Sequence, residues 1–330
     1  MTPAFEDILR KPDLDREEIK LLLSAEGDRM KALLRRALEV KLARLDNCVH
    51  LRGLIEYGNV CEKDCLYCGL RSGNGNVERY CLSDEEVLSC ARLAHELGYG
   101  SVALQSGERS DPAFIAKIER LVREIKKIDG GSLGITLSLG EQSDDTYRRW
   151  FEAGAHRYLL RIESSTEELY YKIHPRNGKH SFQKRIACLE SLKRIGWQTG
   201  TGVMVGLPFQ TLDHLADDLL FFKRMDMTLR MIAVLRLMMP EINMVAATAN
   251  QTVDPQGREK AIAAGANVIM PNLTPGAYRE SYFIYPDKAC VKDRPDQCRS
   301  CLDIRLAAIG HRIQYNAWGD SLAFTKKAKG

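Results

Sequence analysis

From about residue 50 onward, short apolar runs alternate with longer amphipathic segments, and this alternation constrains the fold more than any other feature of the sequence. Such alternation is typical of βα units, whose strands pair in parallel. The runs that we expect to be strands are 50–58, 100–108, 134–141, 156–164, 201–208, 243–249 and 267–272. The sequence therefore predicts an α/β fold built on a parallel sheet.

Strands at this spacing nearly complete a (β/α)8 barrel of the TIM type. Helices with plausible caps lie between them: Ser83, with Glu86 three residues later, predicts one helix start, and Thr211 precedes a helical pattern over 211–225. Another helical pattern follows at once, across Asp226–Thr228, with no strand between the two. We therefore expect a barrel in which one βα segment is missing from the sequence.

Three regions of one structural unit are expected. Residues 1–48 resemble a cap of short helices, 49–285 form the barrel, and 286–330 form a tail that carries cysteines and one amphipathic helix. No repeat or flexible linker separates these regions.

The charge and apolar content limit the classes of partner. The chain has 48 Lys and Arg against 44 Asp and Glu, and the net charge of +4 is spread along the sequence. This small excess predicts neither nucleic-acid binding nor attraction to a membrane surface. The N-terminus lacks a signal-peptide pattern, and no uncharged apolar run approaches the roughly 18 residues of a membrane span. We expect a soluble, cytoplasmic protein whose partner is a small molecule or a protein.

Ten cysteines would be reduced in such a compartment, where close spacing indicates metal binding rather than disulfides. Cys61, Cys65 and Cys68 have CxxxCxxC spacing directly after the first predicted strand. Three thiolates can hold three irons of a cubane [4Fe-4S] cluster and leave the fourth iron open for chemistry. A zinc site or buried thiols are the alternatives, although structural zinc usually takes four ligands and no further Cys or His lies close in sequence.

This motif, its position and the barrel pattern resemble the radical S-adenosylmethionine (SAM) superfamily. The resemblance implies an enzyme whose open iron chelates the amino and carboxylate groups of SAM. The reduced cluster then gives one electron to the sulfonium, and homolysis yields a 5′-deoxyadenosyl radical. It also implies that Tyr67, before the last cysteine, lies beside the adenine of SAM.

Longer motifs resemble the HydE family of [FeFe]-hydrogenase maturases over nearly the whole chain. They are HLRGLIEYGNVCEKDCLYCGLR, LQSGE, TLSLGE, RYLLRIES, GVMVGLPFQT, AGANVIMPNLTP and the tail pattern C-x7-C-x2-C. The resemblance implies a role in H-cluster maturation on an organometallic substrate, a cysteine-bound Fe(CO)2CN complex, with transient contact with HydG and HydF type maturases. The sequence departs from the family between Asp226 and Thr228, where the family has the sixth strand and its loop.

Carried over position by position, the resemblance implies a shell of residues around SAM. Glu163 would bind the amino group and Arg185 the carboxylate, because a zwitterion requires one charge of each sign. Taken singly, Thr136 and Ser138 could simply face the barrel interior, and Arg185 could be a solvated helix residue. The full set is Tyr67, Gln105, Thr136, Ser138, Glu163, Arg185, Met270 and Tyr282.

Arg157, Arg161 and Thr248 resemble the family's anion-binding positions, where a substrate would be held for catalysis. The two arginines are four residues apart on one predicted strand, so a period of two places them on one face. Buried arginines require an anionic partner. That partner is either an anionic substrate or a carboxylate of the chain, Glu163 or Glu141.

Cys290, Cys298 and Cys301 in the tail could hold an accessory [2Fe-2S] or [4Fe-4S] cluster, and an empty site is the alternative. Cys90 and Cys188 lie on apolar helix stripes and are expected in the core. Two further functions stay open at this stage: a HydE-like paralogue acting on another thiol or amino acid, and a non-catalytic Fe-S carrier or scaffold. Cleavage of SAM distinguishes the carrier from both enzymes.

Overall fold

A computed structural model describes residues 5–222 and 229–327 of the chain. The predicted gap in the barrel, across Asp226–Thr228, lies outside the described residues. No helix in the described ranges is long and apolar enough to cross a membrane.

The described residues form one curled sheet in which every pair of neighbouring strands is parallel. The strand order is β5-β4-β3-β2-β1-β6, and β7 pairs with the beginning of β1. The strands are β1 (Cys48–Gly58), β2 (Ser101–Ser106), β3 (Gly134–Ser138), β4 (Arg157–Leu159), β5 (Gln198–Gly200), β6 (Val268–Ile269) and β7 (Arg312–Ile313). The prediction of an α/β fold with a parallel sheet is confirmed.

Helices cover the outer side of the sheet. They are α1 (Phe5–Ile8), α2 (Arg16–Leu23), α3 (Gly27–Leu45), α4 (Asp84–Glu96), α5 (Pro112–Ile125), α6 (Asp144–Glu152), α7 (Glu167–Ile173), α8 (Phe182–Ile195), α9 (Leu212–Phe222), α10 (Leu229–Met238), α11 (Thr248–Val253), α12 (Gly257–Ala263), α13 (Gly276–Arg279), α14 (Pro295–Ala307) and α15 (Leu322–Lys327). The predicted capping box is present at α4, where Ser83 Oγ accepts from the Glu86 amide and the Glu86 carboxylate accepts from the Ser83 amide. The predicted cap at α9 is also present, since Thr211 Oγ1 accepts from the His214 amide.

The predicted strand over 201–208 is wrong in its bounds. The regular strand lies earlier, at β5, and beyond it only Val203 bridges to Glu163. The Thr201 hydroxyl interrupts the ladder, because it accepts from the Ile162 amide and donates to the Leu160 carbonyl. A side chain there takes the place of a main-chain pair.

The predicted strand over 243–249 is also wrong. Val245 forms an isolated bridge with Val268, and α11 already begins at Thr248. The Asn267 side chain accepts from the Met244 amide, so a side chain again satisfies a main-chain group that a strand would pair.

β7 was not predicted, since Arg312–Ile313 falls at the end of an amphipathic helical pattern. Gly310 has a φ of +74°, a left-handed conformation that favours glycine, and it redirects the chain after α14. A strand of two residues carries no periodic pattern of its own, so only the pairing with β1 defines it.

Residues 314–321, which we call the closing segment, cover the amino-terminal ends of the strands. The Gln314 amide donates to Val49 in β1, and the Asn316 amide donates to Gly98 just before β2. Gly100 lies so close to the closing segment that a Cβ would overlap the main chain of Ala317. The amino-terminal end of the sheet is therefore closed by a segment that follows β7 in sequence.

The N-terminal helices pack on the same body. α3 lies along α10, and α2 contacts α9 and α10. Arg16 in α2 forms ion pairs with Asp213 and Asp217 in α9. One apolar core joins these helices, the sheet and the tail, with Leu22, Leu33 and Ile313 among its buried residues. The division into cap, barrel and tail remains a prediction.

Candidate cluster and cofactor site

The three motif cysteines lie on the loop that follows β1, at the carboxyl end of the sheet, where parallel strands direct their loops to one mouth. The loop is tied to its neighbours by main-chain hydrogen bonds: Glu62 N to Glu108 O at 2.8 Å and Leu66 N to Ile173 O at 3.0 Å. Gly107 permits this close approach, because a Cβ there would overlap the Val60 carbonyl. The motif therefore sits on a well-anchored loop.

Cys61, Cys65 and Cys68 are each partly exposed as residues. Burial nevertheless raises the pKa of Cys65 to about 12 and that of Cys68 to about 11. Both are therefore protonated thiols near neutral pH, and a metal centre would have to displace their protons on binding. Three sulfur donors on one short loop fit three irons of a cubane cluster.

Two histidines lie beside this loop. The Cys65 sulfur, one ring nitrogen of His174 and one ring nitrogen of His180 all lie within 4.8 Å of one another. Both rings are buried, and burial lowers the pKa of His174 to about 3 and that of His180 to about 4. The sequence does not predict either histidine as a site residue, since both lie more than a hundred residues after the motif.

A buried network of four charges lies next to the cysteines. Lys63, within the motif, pairs with Glu141 at 2.9 Å and with Glu108 at 3.1 Å. Arg185 Nε donates to Glu141 at 2.7 Å. Burial disfavours ionised Glu141, but Arg185 and Lys63 outweigh it and lower its pKa. The network therefore connects the cysteine loop to α8.

The motifs of the sequence do not predict Lys63 or Glu108 as site residues, and they predict Glu141 only as an alternative partner of the two arginines. Their positions held a signal, because Glu108 and Glu141 each end a predicted strand with the letters Gly-Glu, where a barrel places its site residues.

Glu163 and Arg161 form the next part of the mouth. The Arg161 guanidinium binds both oxygens of Glu163, with distances of 2.8 and 3.0 Å. Glu163 has a φ of +66°. Main-chain hydrogen bonds with Gly202 and Met204, in the segment that follows β5, hold it in this conformation. A strained backbone conformation held from both sides is typical of functional sites.

The other predicted SAM-shell residues divide into two groups. Gln105, at the end of β2, donates to the Tyr282 hydroxyl at 3.1 Å, and Ser138 is the strand neighbour of Gln105. Thr136 lies two residues lower and accepts from Arg157 instead. Met270 follows β6 and is half-buried.

The prediction that Arg157 and Arg161 share one strand is wrong, because β4 ends at Leu159. Arg157 lies at the closed end of the sheet, away from Arg161. It is 2% exposed, and its guanidinium donates to Asp320 at 2.6 Å and to the Trp318 carbonyl at 2.8 Å. Burial lowers the pKa of Arg157 to about 10, and Asp320 opposes that shift. The carboxylate partner of Arg157 is therefore in the closing segment, whereas Arg161 pairs with Glu163, one of the two carboxylates expected as partners.

Thr248 is also separate from the two arginines in its contacts. It is the first residue of α11, and its hydroxyl accepts from Arg258 at 3.0 Å.

The tail cysteines meet at one cavity of about 160 Å³, between α11, α12 and α14. Cys290, Cys298 and Cys301 line it together with the buried Arg258. Burial raises the pKa of Cys298 to about 11. Cys90 and Cys188 are buried in the core, as predicted.

A parallel barrel-like sheet with three cysteines at its mouth defines a class of enzyme. The family model of the radical SAM superfamily matches residues 55–222, and the chain is a radical SAM enzyme. Members of this superfamily use a [4Fe-4S] cluster and SAM, and the donor set at Cys61, Cys65 and Cys68 fits that cluster.

The full-length relationship is narrower. The chain is 41% identical to the [FeFe] hydrogenase maturase subunit HydE of Thermotoga maritima over 92% of its length and 93% of the relative, and it belongs to the HydE family. The predicted family is therefore confirmed.

Solved structures agree in fold. A crystal structure of methylornithine synthase matches with a TM-score of 0.81 at 22% identity, covering 94% of this chain and 97% of the other. The hydrogenase maturase HydG matches with a TM-score of 0.78 at 20% identity, covering 95% and 77%.

Proposed function

We propose that this enzyme cleaves SAM reductively and acts in maturation of the [FeFe]-hydrogenase H-cluster, on a cysteine-bound Fe(CO)2CN complex. The observation that carries the proposal is the match with HydE, which extends over nearly the whole of both chains. Membership of the superfamily supports reductive cleavage of SAM but says nothing about the substrate. The maturation role rests on the longer similarity to HydE.

In this proposal Cys61, Cys65 and Cys68 hold the cluster. The bound cluster and SAM supply the electron transfer and bond cleavage, while the protein binds, orients and shields them. Lys63 has a positional role, because its ion pairs with Glu108 and Glu141 fix the cysteine loop against the ends of β2 and β3.

Glu163 and Arg185 bind the two ends of the methionine zwitterion. Glu141 fixes the Nε edge of Arg185, which leaves its second NH2 group 3.9 Å from Glu108, beyond hydrogen-bond distance. That group is available for a carboxylate. Tyr67, Gln105, Thr136, Ser138, Met270 and Tyr282 complete the shell, with Thr136 the deepest of them.

Arg161 is the residue we assign to the anionic substrate. Its side chain is 39% exposed and already holds a carboxylate, that of Glu163. An incoming ammonium on Glu163 would weaken that pair and free the guanidinium for a second anion. Arg157, supported by Asp320, and Thr248 would also act on the substrate.

We further propose that the tail cysteines bind an accessory Fe-S cluster and that HydG and HydF type maturases make transient contact with the enzyme. The cavity shared by Cys290, Cys298, Cys301 and Arg258 supports the first proposal, since a cationic side chain favours an anionic thiolate centre.

The test is an anaerobic assay of the iron-reconstituted enzyme with SAM and dithionite, in which 5′-deoxyadenosine is quantified by mass spectrometry. We expect product formation that rises when the cysteine-bound Fe(CO)2CN complex is added. The Arg161→Ala variant should keep SAM cleavage and lose most of that increase, and exposed Arg120→Ala serves as the matched control.

No 5′-deoxyadenosine from a cluster-loaded enzyme would indicate a carrier or scaffold. If the iron complex does not change 5′-deoxyadenosine formation but another thiol or amino acid increases it, the protein would be a paralogue with a different substrate. Either result contradicts the proposed function.

A further inference from the structure

The backbone conformation of His174 follows from its place between α7 and Pro175. It follows α7 directly and precedes Pro175, and a residue before proline avoids the helical conformation. His174 accordingly has an extended backbone, with φ −129° and ψ 134°. The end of α7 is joined to the cysteine loop, because the Ile173 carbonyl accepts from the Leu66 amide. The ring is therefore held next to that loop and is 1% exposed.

The hydrogen bonds of His174 fix its tautomer. Its Nδ1 lies 2.9 Å from the Tyr170 carbonyl, which can only accept, so Nδ1 carries the proton. The Tyr170 ring also stacks on the imidazole with centroids 4.0 Å apart. The opposite nitrogen, Nε2, therefore presents a lone pair in a defined direction.

That lone pair faces Tyr67. The Tyr67 hydroxyl lies 3.3 Å from His174 Nε2 and must be the donor, and the two rings meet edge to face with centroids 5.4 Å apart. A nitrogen of His174 also lies within 4.8 Å of the Cys65 sulfur. His174 thus contacts the tyrosine of the motif and lies beside one of its cysteines.

We propose that His174 is a positioning residue for SAM: by accepting a hydrogen bond from the Tyr67 hydroxyl it fixes the Tyr67 ring in the orientation that contacts the cofactor. This inference rests on the proposed function, since it assigns Tyr67 to the SAM site. His174 itself contacts neither SAM nor iron in this scheme, and its effect passes through one hydrogen bond.

His180 supports the same arrangement. Its Nε2 accepts from the Asp64 amide at 3.1 Å, and its ring centroid is 5.2 Å from that of His174. Asp64 adjoins Cys65, so His180 holds the loop while His174 holds the tyrosine. Together the two histidines contact the cysteine loop at Asp64 and at Tyr67.

The experiment is a double-mutant cycle on the cluster-loaded protein with Tyr67→Phe and His174→Phe. The first measurement is the dissociation constant of SAM, by equilibrium dialysis under anaerobic conditions. Loss of one hydrogen bond predicts about five- to tenfold weaker SAM binding in each single variant. The double variant should be no weaker than either single one, because both remove the same interaction.

The second measurement is the change in the electron paramagnetic resonance spectrum of the reduced cluster when saturating SAM is added. His174→Gln serves as the conservative variant, since its amide can donate to Tyr170 and accept from Tyr67. We expect it to restore the wild-type affinity and spectrum. Exposed His95→Phe is the matched control.

Additive losses in the double variant, or unchanged SAM affinity in His174→Phe, would overturn the inference. Failure of both His174 variants to take up iron while folded would show a role in building the cluster site and would also overturn it. A wild-type protein that takes up a cluster but binds no SAM would instead contradict the proposed function.

Discussion

At the mouth of the barrel, the surroundings of a single residue change its protonation. The Cys65 thiol is partly buried, and its raised pKa of about 12 keeps it protonated until a metal replaces the proton. The same burial disfavours an isolated thiolate, so iron binding and deprotonation are coupled. Spacing in the sequence predicts which residues are ligands, and burial raises the pH at which their thiols ionise.

Replacing Cys65 with alanine should therefore reduce SAM cleavage to background, because two thiolates cannot hold the cluster with a single open iron. The measurement is 5′-deoxyadenosine formed per iron-reconstituted chain. Exposed Cys81→Ser is the control and should keep wild-type cleavage. Substantial cleavage by Cys65→Ala would contradict the assignment of this motif.

At the scale of elements, α9 holds the loop that carries Glu163. Asp218 in α9 is fully buried and accepts from both the amide and the hydroxyl of Ser165, each at 2.7 Å. Its other oxygen has no hydrogen-bond partner in the part of the chain that the structure describes. Burial raises the pKa of Asp218 from 3.8 to about 6, so the folded protein binds this proton more tightly than the unfolded chain.

The stability that Asp218 contributes should be complete below its unfolded pKa and lost as the pH rises through about 6. Relative to Asp218→Asn, the wild type should lose up to about 3 kcal/mol of unfolding free energy across that window. Urea unfolding of both proteins at a series of pH values from about 4 to 7 measures the difference. Asp28→Asn is the control, since the Asp28 side chain is 95% exposed. A pH-independent difference between the wild type and Asp218→Asn would show that Asp218 ionises normally.

The tail site makes a second prediction at this scale. Its cysteines line a cavity between α11, α12 and α14, whereas the motif cysteines lie at the carboxyl end of the sheet. The triple change of Cys290, Cys298 and Cys301 to alanine should lower the iron content per chain and leave SAM cleavage largely intact. Iron analysis and the 5′-deoxyadenosine assay test this, and loss of cleavage in a folded variant would show that the tail site participates.

At the scale of the whole molecule, the closing segment is joined to the closed, amino-terminal end of the sheet. Asp320 binds Arg157 and lies 3.1 Å from His156. Because Arg157 is almost fully buried, removal of its carboxylate partner leaves an uncompensated charge inside the protein.

Asp320→Ala should therefore destabilise the protein by about 3 to 5 kcal/mol, as expected for a broken buried ion pair. Chemical denaturation followed by circular dichroism measures the loss. Asp28→Ala is the control, since Asp28 is 95% exposed and its pair with Lys31 should contribute less than about 1 kcal/mol. Equal losses in the two variants would show that Arg157 does not depend on Asp320.

The sequence by itself determined the features that depend on near neighbours. The alternation of apolar runs predicted a parallel α/β sheet, the caps at Ser83 and Thr211 located two helix starts, and the cysteine spacing identified the metal motif. Each of these features depends on residues a few positions apart, so it can be predicted from the sequence without the tertiary structure.

Only the tertiary structure decided the pairings between distant segments. Arg157 meets Asp320, Lys63 meets Glu141, and His174 meets Tyr67, each across more than seventy residues. It also decided where strands end, since hydroxyl and amide side chains at Thr201 and Asn267 replace main-chain pairs. The physical reason is that the free energy of a buried charge or hydrogen bond depends on which groups surround it, and chain position alone does not specify those groups.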